Sequence, residues 1–269
     1  MLVARPFFVT GGLQNMKKIA VALAVAGTLG FAACQKAAPP AAAVDPAVEA
    51  ASAKWAALAR LPDWSGVWEP DWRNTRGMPP RPKMQLTPQA QAAVDAFRAG
   101  QKKGENVQGD VANCVPPGVP GIMSQPYPIE FLYQPDKVVL LTEAYMQYRH
   151  IWTDGRKLPE DPDLTFNGSS VGHWEGDTLV VDTIGLAPQN RLGPGIGHSE
   201  KLHITERIHK ASPEYLEIET TLDDPAIFTE PYKSITSYRH LDDEIREYIC
   251  QENNRDAADS KGRASFKLE

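Results

Sequence analysis

The sequence lacks three things, and each shortage excludes a class of function. It holds no His-Glu-x-x-His, no phosphate-binding loop, no EF-hand ligand series and no dinucleotide fingerprint, so zinc-peptidase, nucleotide-binding and nicotinamide chemistries have no carrier. It has no clusters of Lys and Arg, and Asp plus Glu outnumber Lys plus Arg by 34 to 28. An acidic body without basic clusters speaks against nucleic acid and anionic membrane surfaces as partners. Beyond the N-terminus, no apolar run approaches the ~20 residues a membrane-spanning helix needs. Cysteine is also scarce, with only Cys34, Cys114 and Cys250.

What is present begins with an address. Met16-Lys-Lys-Ile-Ala-Val-Ala-Leu-Ala-Val-Ala-Gly-Thr-Leu-Gly-Phe-Ala-Ala-Cys34 has a basic start, a short apolar run and small residues at its end. That is the pattern of a signal peptide over residues 1–33, with Met16 as the expected start. Small residues before Cys34 resemble a bacterial lipobox, which implies lipidation of Cys34. The Gln35 that follows implies an outer-membrane address on the periplasmic side, with the lipid as the only membrane contact. Removing residues 1–33 leaves 25 basic against 34 acidic residues, a net of −9. In an oxidising compartment the two remaining cysteines, Cys114 and Cys250, are expected to bridge.

Residues 34–60 read as a lipidated tether followed by a short helix. Asp45-Pro46 supplies its cap and first turn, and Trp55, Leu58 and Leu61 give it a modest apolar face. Residues 61–256 read as one domain, and 257–269 as a polar tail. A first strand is expected within Leu61–Trp68, then a Pro-rich arm over 70–86 that is a candidate lid. A helix follows from Thr87-Pro88 to Phe97-Arg98, ended by Gly100. From Ile129 the pattern is nearly all strand: 129–134, 137–145, 148–153, 170–174, 178–185, 201–210, 215–222, 232–240 and 245–250, with turn chemistry at most of the breaks. Short connections imply antiparallel neighbours, and so many strands in one meander close into a barrel. The expected fold is all-β: an antiparallel meander forming a lipocalin-like barrel, with short N-terminal helices and the Pro-rich arm.

Two resemblances accompany this pattern. Gly66-Val67-Trp68 is similar to the Gly-x-Trp of lipocalins, which implies an Arg from the last strand, here Arg246, packed on Trp68. A broader set comprises Cys-x-Pro-x-Gly at 114–118, Ser-Val-Gly-His-Trp-Glu-Gly-Asp-Thr-Leu-Val-Val-Asp-Thr at 170–183, His-Ser-Glu-Lys-Leu at 198–202, Glu206-Arg207 and Arg246-Glu-Tyr-Ile-Cys250. Together these resemble a family of exported bacterial proteins with no assigned activity.

Gly193-Pro-Gly-Ile-Gly-His-Ser-Glu200 is the most suggestive run, because glycines let a backbone approach a ligand and His198 titrates near neutral pH. In the strand after it, Leu202, Ile204, Glu206 and Ile208 share one face. Glu206 among apolar residues has two readings. It is a general acid or base working with His198, or it is one half of a barrel-interior ion pair, with Arg239 as a candidate partner. Asp182 either orients His198 or His173, or bonds the nearby turn. These define a candidate catalytic set of His198, Glu206 and Asp182, and a candidate ligand-binding set of His173, Trp174, Ser199, Glu200, Arg207 and Tyr248. No metal or other cofactor is expected. The leading reading is a barrel that binds a small hydrophobic or aromatic molecule. A cofactor-free lyase, isomerase or hydrolase and a structural envelope lipoprotein are the alternatives.

Overall fold

Val67 pairs with Glu130 on one side and with Leu241 on the other, and this double pairing closes the sheet. The computed structural model describes residues 45–104 and 114–250. The expected signal peptide over 1–33, the lipid site Cys34, the first part of the tether and the polar tail over 257–269 lie outside the described residues.

Nine strands follow one another around a closed barrel. They are β1 (Val67–Pro70), β2 (Ile129–Gln134), β3 (Lys137–Thr142), β4 (Gln147–Trp152), β5 (Ser169–Glu175), β6 (Thr178–Ile184), β7 (His203–Ser212), β8 (Tyr215–Asp223) and β9 (Tyr232–Leu241). The expected all-β barrel is thus what the chain forms. Every neighbouring pair is antiparallel except β4 and β5, which run parallel and meet only through Ile151↔Ser170 and Trp152↔Val171. A parallel pair needs a long crossover, and residues 153–168 supply one.

Two strand expectations change. The segment 245–250 is not a strand, because β1 already occupies the free edge of β9 from Val67↔Leu241 to Pro70↔Tyr238. The segment 137–145 ends at Thr142, because Tyr145 (φ 59°) and Met146 (φ 47°) turn the chain through left-handed backbone before β4. The interior is filled by Trp64, Trp68, Ile151, Ile204, Leu216 and Tyr238, each essentially inaccessible to solvent. Leu202, Ile204, Glu206 and Ile208 all point inward, as alternation requires.

Two helices stand outside the barrel. Helix α1 (Pro46–Ala57) is capped by Asp45, whose carboxylate accepts from Ala47 N at 2.8 Å. It buries no residue and leaves Trp55 exposed, while Leu58 and Leu61 of its expected apolar face are half-buried. Helix α2 (Pro88–Lys102) is capped by Thr87 and runs through Gly100, which is buried. The left-handed glycine just past its end is Gly104 (φ 73°), so that residue takes the stop expected of Gly100.

The Pro-rich arm is tied down. Thr87 N donates to Ile227 O at 2.9 Å, Thr229 N to Gln85 O at 2.9 Å, and Arg81 reaches Thr236 Oγ1 at 3.0 Å. The expected disulfide joins Cys114 to Cys250. It anchors the C-terminal segment, and Arg246 N assists by donating to Glu143 Oε2 at 2.8 Å.

Candidate functional site

Strand β4 reverses the usual sense of alternation. Gln147-Tyr-Arg-His-Ile-Trp152 turns Arg149 and Ile151 inward and leaves Tyr148, His150 and Trp152 on the outer face. The Arg149 side chain runs across the inner faces of β5 and β6 to reach β7. Its Nε donates to Ser170 Oγ at 3.0 Å, and Nη2 donates to Thr183 Oγ1 at 2.7 Å and to Glu206 Oε2 at 2.5 Å. Ser170 and Thr183 also bond each other at 2.9 Å. Arg149 is 3% exposed and Glu206 1%, so a buried ion pair sits within a polar band. Nη1 is buried and, among the described residues, has no hydrogen-bond partner.

The parallel seam leaves most of β4 without ladder partners from β5, and a cleft of about 810 Å³ lies there. Asn167 spans the gap by donating to Tyr148 O at 3.0 Å. Rings dominate the cleft: Tyr145, Tyr148, Trp152 and Phe166 line it together with Arg149 and Ser170. Tyr148 and His150 have ring centroids 5.3 Å apart, and His150 and Trp152 5.8 Å. The Trp152 ring carries Arg156 at 3.6 Å and Lys137 at 4.7 Å, both within cation–π range. Burial, with Lys137 adding a like charge, holds the His150 pKa below its ordinary value. Among the lining residues there is no Asp or Glu.

The connection that shapes this cleft is held by the Cys-x-Pro-x-Gly segment. Gly118 (φ 61°) lies so close to the 166 backbone that a Cβ there would stand 2.4 Å from Phe166 O and 2.4 Å from Asn190 Nδ2. Asn190, fully buried, donates from Nδ2 to Phe166 O at 2.8 Å and to Val119 O at 3.0 Å.

The expected site residues fall elsewhere. His198, Ser199 and Glu200 line a second cleft of about 670 Å³ with Leu186, Lys201 and Pro225. Both ring nitrogens of His198 face carbonyls: Nδ1 is 2.9 Å from Ser199 O and Nε2 2.9 Å from Ala187 O. Ser199 donates from N at 2.7 Å and from Oγ at 2.8 Å to the buried carboxylate of Asp224, which also accepts from Ala226 N at 3.1 Å. Asp224 therefore pins the loop, a role its Asp-Pro turn did not announce. One glycine before His198 serves packing: a Cβ on Gly195 would stand 2.7 Å from Phe97 Cβ on α2, whereas Gly197 has open space around its Cβ position.

His198, Glu206 and Asp182 do not converge. Glu206 faces the interior, and its partner is Arg149 rather than Arg239, which pairs with Glu69 on the outside. Asp182 accepts from Thr205 Oγ1 at 3.0 Å and lies 3.1 Å from His203 Nε2, not near His198 or His173. His173 lies 3.2 Å from Glu175 Oε1, and Arg207 pairs with the same carboxylate at 2.9 Å. Those two partners, Arg207 first, hold the Glu175 pKa below the usual carboxylate range. Trp174 packs on Trp64 at 5.1 Å and on Tyr133 at 6.1 Å. Tyr248 stacks edge-on to Tyr127 at 4.9 Å and packs on Tyr145 at 5.4 Å; burial, with Tyr127 and Tyr145 beside it, pushes its phenol up to about 12. Arg246 does not cover Trp68. Lys210 does, at 5.5 Å, and Arg246 instead pairs with Asp243.

Reading the sequence as free of a Gly-x-Ser-x-Gly motif is an error: Gly168-Ser-Ser170-Val-Gly172 matches that pattern of hydrolase nucleophiles. The structure gives it a different role. Ser170 sits inside strand β5, 2% exposed, with its hydroxyl bonded to Arg149 and Thr183. A nucleophile elbow needs a sharp strand-to-helix turn that exposes the hydroxyl, and no helix follows β5. Among the described residues, no three His, Cys, Asp or Glu side chains gather as a metal site would require. In comparisons with known proteins, no family model matches the chain and the search of curated proteins finds no match.

Proposed function

We propose that this chain is a binding protein for a small hydrophobic or aromatic molecule, held in the cleft along the parallel β4–β5 seam. The observation that carries this reading is the concentration of rings at a gap in an otherwise continuous wall: Tyr145, Tyr148, Trp152 and Phe166 face one cavity of about 810 Å³. That volume is of the size that takes a drug-sized ligand, and such pockets are lined by apolar and aromatic groups with a few polar ones. Tyr148 is 63% exposed, so its ring is open to an incoming ligand. The barrel interior, filled by its own side chains, serves as the rigid frame.

The molecule works at the cell envelope in this reading, tethered through a lipid on Cys34 and facing the periplasm. The Cys114–Cys250 bridge supports an oxidising compartment. Incorporation of labelled palmitate into the full chain, lost in Cys34→Ser, tests the anchor; labelling that survives the substitution rejects it.

Binding is tested with the neutral fluorophore N-phenyl-1-naphthylamine. The full chain is expected to bind it with increased emission, and Tyr148→Ala to weaken binding by about fivefold or more, since an aromatic contact of ~1 kcal/mol is removed. No binding, or binding indifferent to Tyr148, rejects the seam as the site.

A further inference from the structure

The two ends of the Cys114–Cys250 bridge lead to opposite sides of the seam cleft. Cys250 closes a C-terminal segment that leaves β9 at Leu241. On that segment Arg246 N donates to Glu143 Oε2 at 2.8 Å, and the Tyr248 ring packs on Tyr145 with centroids 5.4 Å apart. Cys114 opens the segment that runs to Gly118 and Val119. Val119 N donates to Phe166 O at 2.9 Å, and Gly118 lies against the same carbonyl. Tyr145 and Phe166 both line the cleft, one just before β4 and the other just before β5.

Tyr145 needs such a support. It and Met146 are consecutive non-glycine residues in left-handed backbone, at φ 59° and 47°, and both line the cleft. Residues with a side chain seldom adopt that conformation, and they keep it where surrounding contacts over-determine it. Here Arg246 holds Glu143 and Tyr248 backs Tyr145, from a segment fixed at its far end by Cys250. Residues 242–249 belong to neither strand nor helix, so no sheet ladder holds them to the barrel. Cys114 and Cys250 are half-buried rather than sealed in the core.

We infer that the Cys114–Cys250 bridge controls ligand binding in the seam cleft, with Tyr248 as the positioning residue that passes its effect to Tyr145. This inference rests on the binding reading above. With the bridge closed, Tyr145 and Phe166 are held on the two sides of the gap, and the ligand meets a preformed site. A dithiol reductant opens the bridge by exchange. Its thiolate attacks one sulfur and the other cysteine leaves as a thiolate; its second thiol then resolves the mixed disulfide. The two cysteines gain two electrons and two protons, and the reductant departs as its own disulfide. The C-terminal segment is then held at one end only, Tyr145 loses its backing ring, and binding weakens. The site is complete only in an oxidising compartment, where such bridges persist.

The full chain is titrated with N-phenyl-1-naphthylamine in its bridged form and after reduction with dithiothreitol, with far-UV circular dichroism reporting the fold. Reduction is expected to weaken binding by about fivefold or more with the barrel spectrum kept, and reoxidation to restore it. In the bridged protein, Tyr248→Ala is expected to weaken binding to the same degree. Tyr248→Phe keeps the ring and is expected to bind like the wild type. Without any ligand, the backbone ¹H–¹⁵N resonances of residues 145–147 and 165–167 are expected to shift on reduction. Equal binding by bridged and reduced protein, Tyr248→Ala binding like the wild type, or reduction shifts confined to 114–117 and 247–250 overturns the inference and leaves the binding reading standing. If the reduced protein unfolds, the comparison of Tyr248→Ala with Tyr248→Phe decides. A bridged wild type that does not bind the probe removes the binding reading itself, and this inference with it.

Discussion

Arg149 and Glu206 meet inside the barrel at 2.5 Å, with β5 and β6 lying between the strands they come from. The pair ties β4, at the weakly paired parallel seam, to β7, which is fully paired on both sides. It is therefore a brace across the place where the wall is thinnest.

Removing one member of this pair is expected to hurt far more than removing both. Glu206→Ala leaves a buried guanidinium uncompensated and should cost about 3–5 kcal/mol, whereas Arg149→Met with Glu206→Leu should cost much less or even stabilise. Urea denaturation of the two variants and the wild type measures this. A double variant as unstable as Glu206→Ala alone argues against the brace.

The Cys114–Cys250 bridge spans 136 residues, and a loop that long gives a large entropic effect on the unfolded chain. Cys114→Ser with Cys250→Ser is expected to lose about 2–5 kcal/mol. Guanidinium unfolding of oxidised and serine forms measures it, and coincident curves would show that the bridge carries no stability.

His150 sets a pH dependence whose sign is fixed. Burial, with Lys137 second, lowers its folded pKa below the ordinary 6.5, so the unfolded chain binds more protons in that window. Stability should therefore fall as pH drops through about 6.5 toward the folded pKa, and be flat above it as far as this residue is concerned. Thermal melts of the wild type against His150→Gln between about pH 5 and 7.5 read the difference. A wild-type curve that parallels the variant's removes His150 as the cause.

Gly118 should not tolerate a side chain. At φ 61°, with Phe166 O and Asn190 Nδ2 each 2.4 Å from the Cβ position, Gly118→Ala is expected to destabilise by more than ~1 kcal/mol. The same change should also weaken probe binding, because Phe166 lines the cleft. Equal stability and equal binding would show that the loop simply moves aside.

The barrel was readable because alternation and turn chemistry are local. The hairpin at Glu175-Gly176-Asp177 and the inward set Leu202, Ile204, Glu206 and Ile208 needed only neighbours in sequence. The parallel step was hidden because nothing local distinguishes a crossover such as 153–168 from a long hairpin loop. Arg149 escaped notice for the same reason. Its partners Ser170, Thr183 and Glu206 are 21, 34 and 57 residues away, and only closure of the barrel brings them together. One signal was available: Tyr148-Arg-His-Ile-Trp152 places rings on the face opposite an isoleucine, so the arginine had to share the core side. The histidine and glycine run at 193–200 misled because glycine next to histidine reads as a ligand loop, whereas Gly195 serves contact with α2 and the two ring nitrogens of His198 each lie 2.9 Å from a backbone carbonyl.

Backbone ¹H–¹⁵N mapping of the full chain during titration with N-phenyl-1-naphthylamine tests the seam most directly. The expected result is that the largest shifts fall on residues 147–152 and 165–170, the two sides of the parallel step. Shifts concentrated instead on 186–188 and 198–201, or spread evenly over the surface, would contradict a binding site between β4 and β5.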